Sequence, residues 1–403
     1  MQYTEYELGE LLPFEQPTAY IVKSTDYSDA YATPVLTAGK SFILGKTNET
    51  DGIFDQLPVI IFDDFTTATQ FVNFRFKVKS SAMKILHINT DLVIPKYIFY
   101  RLQIIQFDHS THKRYWIQSY SKIKVSIPSL DEQSRIVSRI DELFSELDKA
   151  VDTLKTTKEQ LVVYRQAILQ QAFIGNSNYH KRKSSIPKTE FKPVDAKELV
   201  QLASLPQEWK YVYLSDLGNL SRGKSSHRPR NDPKLFENGV YPFFQTGDVK
   251  GAQKDLYNCE KKYNDVGLAQ SKLWPAGTLC ITIAANIAET CFLGVDGCFP
   301  DSIVGFIPND NLVLKEYIRF FIEASKLKLW AYAPATAQKN INLSTLENLI
   351  VPYCGIEEQQ YIVQKIEEID SVCNKLEQTI DIALAQADAI RQSILKQAFE
   401  GKI

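Results

Sequence analysis

The chain has 403 residues, of which 44% are hydrophobic and 23% charged, so it can bury a sizeable core and disorder is excluded as its main state. Lysine and arginine total 46 and aspartate and glutamate total 48, so the net charge of −2 neither favours nor opposes a nucleic acid partner. The apolar runs are too short for a membrane span, the N-terminus has no signal-peptide pattern, and six cysteines without C-x-x-C spacing predict a reduced, cytoplasmic protein.

Residues 1–130 are expected to form a mixed α/β domain, because short β-rich runs are separated by Gly, Asp and Asn. Strands are predicted at 58–62 and 71–78, and a helix at 97–103. Near the end of this stretch, residues 112–116 (HKRYW) mix cations with aromatic side chains. Such a mixture suits nucleic acid contacts, but an ordinary surface segment fits it equally well.

Residues 131–175 carry apolar side chains at alternating steps of three and four, without proline or interior glycine. That spacing predicts one long helix with a heptad stripe, about 65 Å long at 1.5 Å per residue. Ser129 and Glu132 form a capping-box start, and Gly175 stands where such a helix would end. The predicted stripe is marked by Ile140, Leu147, Leu154, Leu161 and Ile168.

Residues 176–206 form a polar linker with six lysines or arginines and three acids, and residues 207–356 form a second mixed domain. Strands are predicted at 279–283 and 303–307, and a helix at 317–329. A second long helix follows at 357–403, with Gly401 near its end. Its predicted stripe is marked by Ile366, Cys373, Ile380, Ile390 and Ile394.

The two helical segments are copies of each other. Residues 131–175 and 357–401 align without a gap at an offset of 226, and 18 of the 45 positions are identical. The preceding domains match more weakly but in the same order. The sequence therefore predicts an α+β protein with two α/β domains joined by two long antiparallel coiled-coil helices, arranged as a pseudo-two-fold internal repeat. Identity at Arg165/Arg391 and Gln166/Gln392, which lie off the stripe, predicts a surface that both copies present to partners.

Enzyme motifs are absent from the sequence. There is no glycine-rich phosphate loop and no H-E-x-x-H zinc motif. His109 and His112 have the spacing of metal ligands but no third ligand nearby, which favours exposed polar histidines. Asp63 and Asp64, with Lys77 downstream, lack the acid that a metal nuclease needs before the lysine, so polar residues at a strand end are the favoured interpretation.

The sharpest local charge is the segment 221–230 (SRGKSSHRPR), with four lysines or arginines, one histidine and no acid. Its small residues would let cations and backbone amides approach phosphates and base edges. A solvated basic loop is the alternative interpretation. Two domains on a rigid spacer add a geometry for reading two separated half-sites on one ligand, and because the loops of the two domains differ, that ligand should be asymmetric.

The chain resembles the specificity subunit of type I restriction–modification enzymes over essentially its whole length. The resemblance rests on the helix phrases EEQ-x2-IV-x2-I and RQ-x-IL-x-QAF-x-G. It rests less specifically on phrases in the two domains at residues 15–18, 35–40, 60–66, 241–248 and 338–342.

This resemblance implies that residues 1–130 and 207–356 are target recognition domains for a bipartite DNA sequence, and that 131–175 and 357–403 are spacer helices. It also implies two methyltransferase subunits and restriction subunits as partners. No catalytic centre, metal or cofactor is expected on this chain, and S-adenosylmethionine, ATP and Mg²⁺ would bind the partners. The helical segments carry net charges of −2 and −4, which suits protein partners better than DNA.

Candidate DNA-contacting residues are chosen from the basic, amide and aromatic side chains of the two domains. They are Lys40, Lys46, Lys113, Arg114, Trp116, Arg222, Lys224, His227, Arg228, Arg230, Gln245, Thr246, Lys272, Gln338, Lys339 and Asn340. Two other function classes stay open from the residues alone. One is a two-headed protein-binding scaffold, and the other is a standalone nuclease or methyltransferase.

Overall fold

The computed structural model describes residues 3–37, 41–107, 114–174, 189–206, 208–331 and 340–403. The chain forms two compact units, Met1–Thr156 with Ile380–Ile403 and Thr157–Thr379. Each unit thus contains one globular domain, the start of the helix that follows this domain, and the end of the other long helix. No helix in the described ranges combines the length and the apolar character needed to cross a membrane.

The first unit contains nine strands and four helices within the residues described. The strands are β1 (Thr4–Glu7), β2 (Phe14–Glu15), β3 (Thr33–Leu36), β4 (Ile43–Thr47), β5 (Val59–Asp63), β6 (Thr69–Val72), β7 (Lys77–Val78), β8 (Met83–Leu86) and β9 (Lys124–Ile127). The helices are α1 (Leu8–Leu11), α2 (Pro95–Leu102), α3 (Tyr115–Gln118) and the first part of α4 (Leu130–Phe173).

These strands form a four-stranded sheet in the order β2-β8-β5-β6, a three-stranded sheet β4-β3-β7, and the pair β1-β9. The single strand predicted at 71–78 is therefore wrong. Its first residues pair with β5 and its last residues pair with β3, so the chain crosses from one sheet to the other between them. The core under the four-stranded sheet contains Ile60, Phe62 and Trp116, all fully buried.

The second unit repeats this plan with insertions. Its strands are β10 (Lys210–Tyr213), β11 (Gly218–Arg222), β12 (Tyr241–Pro242), β13 (Asp255–Leu256), β14 (Lys262–Tyr263), β15 (Leu279–Thr282), β16 (Thr290–Leu293), β17 (Ile303–Pro308) and β18 (Ile350–Tyr353). Its helices are α5 (Ala196–Leu199), α6 (Thr246–Gly251), α7 (Asp265–Ala269), α8 (Lys315–Ala324), α9 (Lys326–Ala331), α10 (Leu343–Glu347) and the first part of α11 (Ile356–Phe399).

The main sheet of this unit has the order β11-β17-β15-β16-β13, and β10-β18 corresponds to the pair β1-β9 of the first unit. The helix predicted at 317–329 is broken into α8 and α9 at Ser325, whose backbone N–H donates to the carbonyls of Phe321 and Ile322. All six cysteines are free thiols, and burial raises the pKa of Cys280 and Cys354 well above the usual value. These thiols pack as small apolar groups.

The long helices run antiparallel within each unit. In the first unit, Val137 and Ile140 near the start of α4 share a core with Leu395 and Ala398 near the end of α11. In the second unit, Lys158 of α4 pairs with Glu377 of α11, while later residues of α4 meet earlier residues of α11. A helix of 44 residues with an apolar stripe needs such a partner to bury the stripe.

Burial along the predicted stripe varies with position. The side chains of Ile140, Ile366, Cys373 and Ile380 are buried, and Leu147, Leu154, Leu161, Ile168 and Ile394 are half-buried. The prediction that Ile390 lies on the buried stripe is wrong, since this residue is 44% exposed. Beyond Ala387 the buried positions are Leu395 and Ala398, because a helix with 3.6 residues per turn drifts away from a strict heptad repeat.

The repeated arginines pair the two helices with each other. Arg165 donates to Asp370 at 3.0 Å and to Asn374 at 2.8 Å, and Arg391 forms an ion pair with Asp148. The interpretation of these identical arginines as a shared surface for partners is therefore wrong. Their identity reflects an ion pair that each unit needs between its antiparallel helix segments.

One pair of repeated glutamines, Gln133 and Gln359, has the same role in both units. Gln133 is fully buried near the start of α4, where its side chain accepts from the Ile94 backbone N–H and donates to the carbonyls of Leu92 and Pro128. Gln359 makes the matching three bonds in α11, where it accepts from the Leu314 N–H and donates to the carbonyls of Leu312 and Cys354. Each amide thus satisfies three backbone groups that have lost contact with water.

The repeated phenylalanines complete the core of the domain at the far end of each helix. Phe173, at the end of α4, packs edge-to-face on Tyr317 and Phe321 with ring centroids 5.0 and 5.3 Å apart. Phe399, at the end of α11, packs on Tyr97 at 5.3 Å. Burial raises the pKa of Tyr97 to about 12 and that of Tyr317 well above its usual value.

Replacing Gln359 should test whether its three hydrogen bonds anchor the start of α11. We expect Gln359→Ala to lower the free energy of unfolding by about 2–4 kcal/mol, because it leaves three buried backbone groups without partners. Urea denaturation followed by tryptophan fluorescence measures this change. The neighbouring Gln360 is exposed, so Gln360→Ala is the matched control and should change stability by less than about 0.5 kcal/mol. Equal effects of the two substitutions would contradict the anchoring role of the Gln359 hydrogen bonds.

Candidate nucleic-acid interface

One edge of the main sheet of the second domain gathers residues that are distant in the sequence. The register pairs Arg222 of β11 with Val304 of β17, and the same Val304 with Ile281 of β15. Because these strands are antiparallel, the end of β11, the start of β17 and the turn from β15 to β16 lie at the same edge. Asp301 lies just before β17 and therefore belongs to this edge.

The basic segment 221–230 is held against this edge by hydrogen bonds. Arg222 Nε donates to the Asp301 carbonyl at 2.8 Å, and Arg230 donates to the Asp301 carboxylate at 2.9 Å. Gly223 is required where the chain passes residues 299–300, because a Cβ atom there would lie 2.2 Å from the Phe299 carbonyl oxygen. The segment contains no acid in sequence, but the fold brings one between two of its arginines.

Lys272 joins the same cluster from a different loop. Its Nζ donates to Ser221 Oγ at 2.8 Å and lies 3.6 Å from the centroid of the buried Trp274 ring, a cation–π contact. The side chain of Lys224 is exposed, and its carbonyl accepts from Ser271 Oγ at 2.7 Å. Arg222, Lys224, Arg230 and Lys272 thus form a cationic cluster, in which the side chains of Arg222, Arg230 and Lys272 are held by hydrogen bonds.

His227 and Arg228 stabilise the tip of the loop. Arg228 donates to the carbonyls of Ser225 and His227, each at 2.8 Å, and His227 Nε2 lies 2.9 Å from Asp232. The pKa of Asp232 is lowered because its carboxylate accepts from the Lys234 backbone N–H and from His227. The bonds of these side chains therefore order the loop in the free protein.

Gln245 and Thr246 lie at the start of α6. The Gln245 backbone N–H donates to the Asp248 carboxylate at 2.7 Å, and its side chain accepts from the Asp248 backbone, which together form a capping box. The Gln245 side chain is exposed and Thr246 is half-buried. Gln245 thus has a structural role in the cap.

Asn340 lies beside the β15–β16 turn, and Arg114 has the matching place in the first domain. In the second domain, Ile341 N–H donates to the Ile283 carbonyl at 2.9 Å and Asn340 bridges to Ala284. In the first domain, Tyr115 N–H donates to the Asp64 carbonyl at 3.0 Å. Asp64 and Ile283 each follow the central strand of their sheet. Arg114 and Asn340 are both exposed.

A second backbone bond at the sheet edge is also common to the two domains. We call this pair of bonds the sheet-edge frame. Asp64 N–H donates to the Ala82 carbonyl just before β8, and Ile283 N–H donates to the Ser302 carbonyl just before β17. The same two bonds therefore hold the central turn in each domain. Lys40, Lys113, Gln338 and Lys339 lie outside the described residues, as do His109 and His112.

Two candidate residues of the first domain do not present an exposed side chain at this edge. Trp116 was chosen as an aromatic partner of a cationic segment, but it is fully buried and packs on Phe62 with ring centroids 4.9 Å apart. Its assignment to DNA contact is therefore wrong, because the first residues of α3, Tyr115 and Trp116, are buried in the core, whereas Arg114 at the N-cap is exposed. Lys46 lies in β4 of the three-stranded sheet and is half-buried.

The acids and lysines that resemble a nuclease site have structural partners instead. Asp64 forms a buried ion pair with Lys84 at 3.3 Å and accepts from the Trp116 backbone N–H at 2.8 Å. Lys77, also buried, pairs with Glu49 at 3.1 Å. Within the ranges that the structure describes, no group of three or more His, Cys, Asp or Glu side chains is placed to hold a metal ion.

Sequence reasoning missed Asp301 and the two sheet-edge turns. Asp301 is separated from Arg222 by 79 residues, so no local pattern links the two. Aligning the two domains in sequence places residues 59–62 over 280–283 and so identifies the repeated strand that each turn follows, although the backbone bonds match Asp64, not Phe62, to Ile283.

The chain matches the family model described as type I restriction modification DNA specificity domain at residues 2–161 and 206–386. It is 32% identical over 388 residues to the type I restriction enzyme EcoR124I/EcoR124II specificity subunit of Escherichia coli, covering 92% of this chain and 87% of that protein. It is 24% identical over 285 residues to the EcoBI specificity subunit of Escherichia coli, covering 69% of this chain and 58% of that protein.

Solved structures share the fold. The crystal structure of the HsdS subunit from Thermoanaerobacter tengcongensis has a TM-score of 0.58 at 17% identity and covers all of this chain and 97% of its own. A chain from a study of complex assembly and conformational transition of the type I R-M system has a TM-score of 0.64 at 17% identity, covering 100% of this chain and 98% of its own. Since the family model matches most of the chain and the first relative matches nearly all of it, the chain belongs to the type I restriction–modification DNA specificity subunits.

Proposed function

We propose that this specificity subunit reads an asymmetric DNA target in two parts, one through residues 1–130 and one through residues 207–356. The observation that carries the proposal is the repeated sheet-edge frame. The same two backbone bonds hold the turn after β5 and the turn after β15, but the exposed residue beside the turn is Arg114 in one domain and Asn340 in the other. Equivalent frames with different side chains suit two different half-sites.

The second half-site would meet the cationic cluster of Arg222, Lys224, Arg230 and Lys272. Arginine forks recognise guanine edges and phosphates, and lysine acts as a point charge on phosphate. Residues 207–356 carry 16 lysines or arginines and 15 acids, and residues 1–130 carry 13 of each. With so little net charge, the free subunit should bind DNA weakly and lose affinity steeply with salt.

The long helices would hold the gap between the half-sites and dock two methyltransferase subunits, with restriction subunits completing the assembly. Their acidic surface suits protein partners better than a phosphate backbone. In this assembly S-adenosylmethionine, ATP and Mg²⁺ would bind the partner subunits, and the chain would work in the cytoplasm. One of the structural neighbours comes from a study of complex assembly in the type I R-M system, which supports an assembly of this kind.

Removing one cation of the cluster should affect one half-site. We expect Arg230→Ala, assembled with the methyltransferase subunits, to weaken binding to the full target by about ten-fold or more, as loss of a bidentate contact would. Arg228→Ala should act on the same half-site through the loop tip. Fluorescence anisotropy on duplexes with base changes in one half at a time measures the effect.

A matched arginine in the other domain provides the control. Arg75 has a 74% exposed side chain with only a 3.9 Å ion pair, so Arg75→Ala should leave recognition of the second half-site unchanged. An equal loss at both half-sites in Arg230→Ala, or no loss at either, would contradict the assignment of the cluster to one half-site.

Exchanging a whole domain should separate reading from spacing. Replacing residues 1–130, which end where α4 begins, with the corresponding domain of another family member should change one half-site and leave the gap length unchanged. Methylation-sensitive sequencing of DNA from cells that carry each chain measures both properties at once. A gap that changes with the exchanged domain would show that the helices do not set the spacing.

A further inference from the structure

The turn at the sheet edge is strained in both domains. Three of the four non-glycine residues with positive φ in the described chain lie in these turns, namely Thr67 at 58° after β5 and Ala285 and Ala288 at 63° and 62° after β15. A left-handed conformation is costly for any residue with a Cβ atom and is rare for a β-branched one such as Thr67. Such strain persists only where the surrounding structure enforces it, and it concentrates at binding sites.

In the first domain the enforcing residue is Asp63. Its side chain accepts from the backbone N–H groups of Phe65 at 2.9 Å and Thr66 at 3.3 Å, and its carbonyl accepts from Thr67 N–H at 2.9 Å. The register of β5 with β6 then closes the turn. The backbone of Phe65 is therefore fixed on both sides.

The side chain of Phe65 is 48% exposed on this rigid turn. A single exposed apolar residue on a surface is ordinary, but this one lies at the tip of a strained turn that the Asp64–Tyr115 bond ties to the segment bearing Arg114. The segment before β8, which contains Lys79 and Ala82, reaches the same edge through the Asp64–Ala82 bond. Phe65 thus lies at the same edge as the segment that bears the exposed Arg114, and this edge faces DNA in the proposed function.

We propose that Phe65 reads a base pair of the first half-site by packing its ring on the 5-methyl group of a thymine in the major groove. This inference rests on the proposed function. Contact between an apolar side chain and the thymine methyl is one of the few readouts open to a phenylalanine, which cannot form hydrogen bonds to base edges or phosphates. A rigid turn loses little conformational freedom when it makes such a contact.

The second domain has no such aromatic ring at the matching place. Asp64 corresponds to Ile283 through the shared backbone bonds, so Phe65 corresponds to Ala284, which bridges to Asn340. The frame is thus kept while the reading side chain changes from a ring to a methyl group. This difference predicts that thymine readout by an aromatic ring belongs to the first half-site alone.

The test uses the full chain assembled with its methyltransferase subunits and the target found by methylation-sensitive sequencing. Each thymine of the first half-site is replaced in turn by uracil, which removes only the 5-methyl group. We expect one uracil to weaken wild-type binding by about four-fold, the worth of one buried methyl group. Phe65→Ala should weaken binding to the natural duplex by at least as much and should bind that uracil duplex and the natural duplex equally.

Two further variants keep the result interpretable. Phe65→Leu retains an apolar side chain, so it should retain part of the uracil penalty. Tyr257→Ala removes a 57% exposed aromatic ring from the second domain and should leave every first-half-site measurement at the wild-type value. Because Phe65 is half exposed, its truncation should not unfold the domain, which circular dichroism melting verifies.

Three results would overturn the inference. They are a first half-site without thymine on either strand, a Phe65→Ala variant with wild-type affinity, and a Phe65→Ala variant that keeps the uracil penalty. The proposed function fails by a different outcome, in which the wild-type assembly binds the target no better than a random duplex. Sequence-specific wild-type binding that is indifferent to Phe65 therefore rejects the role of Phe65 alone.

Discussion

The structure depends on the fact that each long helix ends in the core of the domain it does not follow. Ala172 and Phe173 of α4 belong to the core of the second domain, and Leu395 and Ala398 of α11 belong to the core of the first. Burying a phenylalanine side chain contributes about 2 kcal/mol or more, a large part of the stability of a single domain. Neither half of the chain therefore builds a complete core from its own residues, although each half carries a full copy of the repeat.

This constraint explains most of the identity between the repeats. Gln133/Gln359 satisfy buried backbone groups, Arg165/Arg391 pair with the opposite helix, and Phe173/Phe399 fill a core. Gln166 also donates to a carbonyl of the second domain, whereas its counterpart Gln392 is exposed, so packing does not explain the identity of this pair. Among the described residues, six of the identical pairs stay exposed in both copies, including Lys149/Lys375 and Gln160/Gln386. Burial in the two cores does not account for the identity at those positions.

The long helices could be predicted from sequence because their signal is local. An apolar stripe over 44 residues repeats many times, so one misplaced position, Ile390, does not obscure it. The sheets could be predicted only in part, because strand pairing joins distant segments. The run 71–78 looks continuous but supplies strands to two sheets. Trp116 looks like a binding residue beside cations, yet Phe62 from a distant strand packs on it together with the nearby Tyr120.

The candidate site could also be predicted only in part from the sequence, because its geometry depends on contacts between distant residues. The basic segment was visible as composition, but its geometry depends on Asp301, which a distant loop supplies. An acid between two arginines lowers the net charge of the edge and therefore weakens non-specific attraction to phosphate. It also fixes both guanidinium groups, so in the proposed contact with DNA less side-chain freedom would be lost on binding. A subunit whose task is discrimination gains from this exchange, because specificity depends on placed contacts, whereas the overall field attracts every sequence alike.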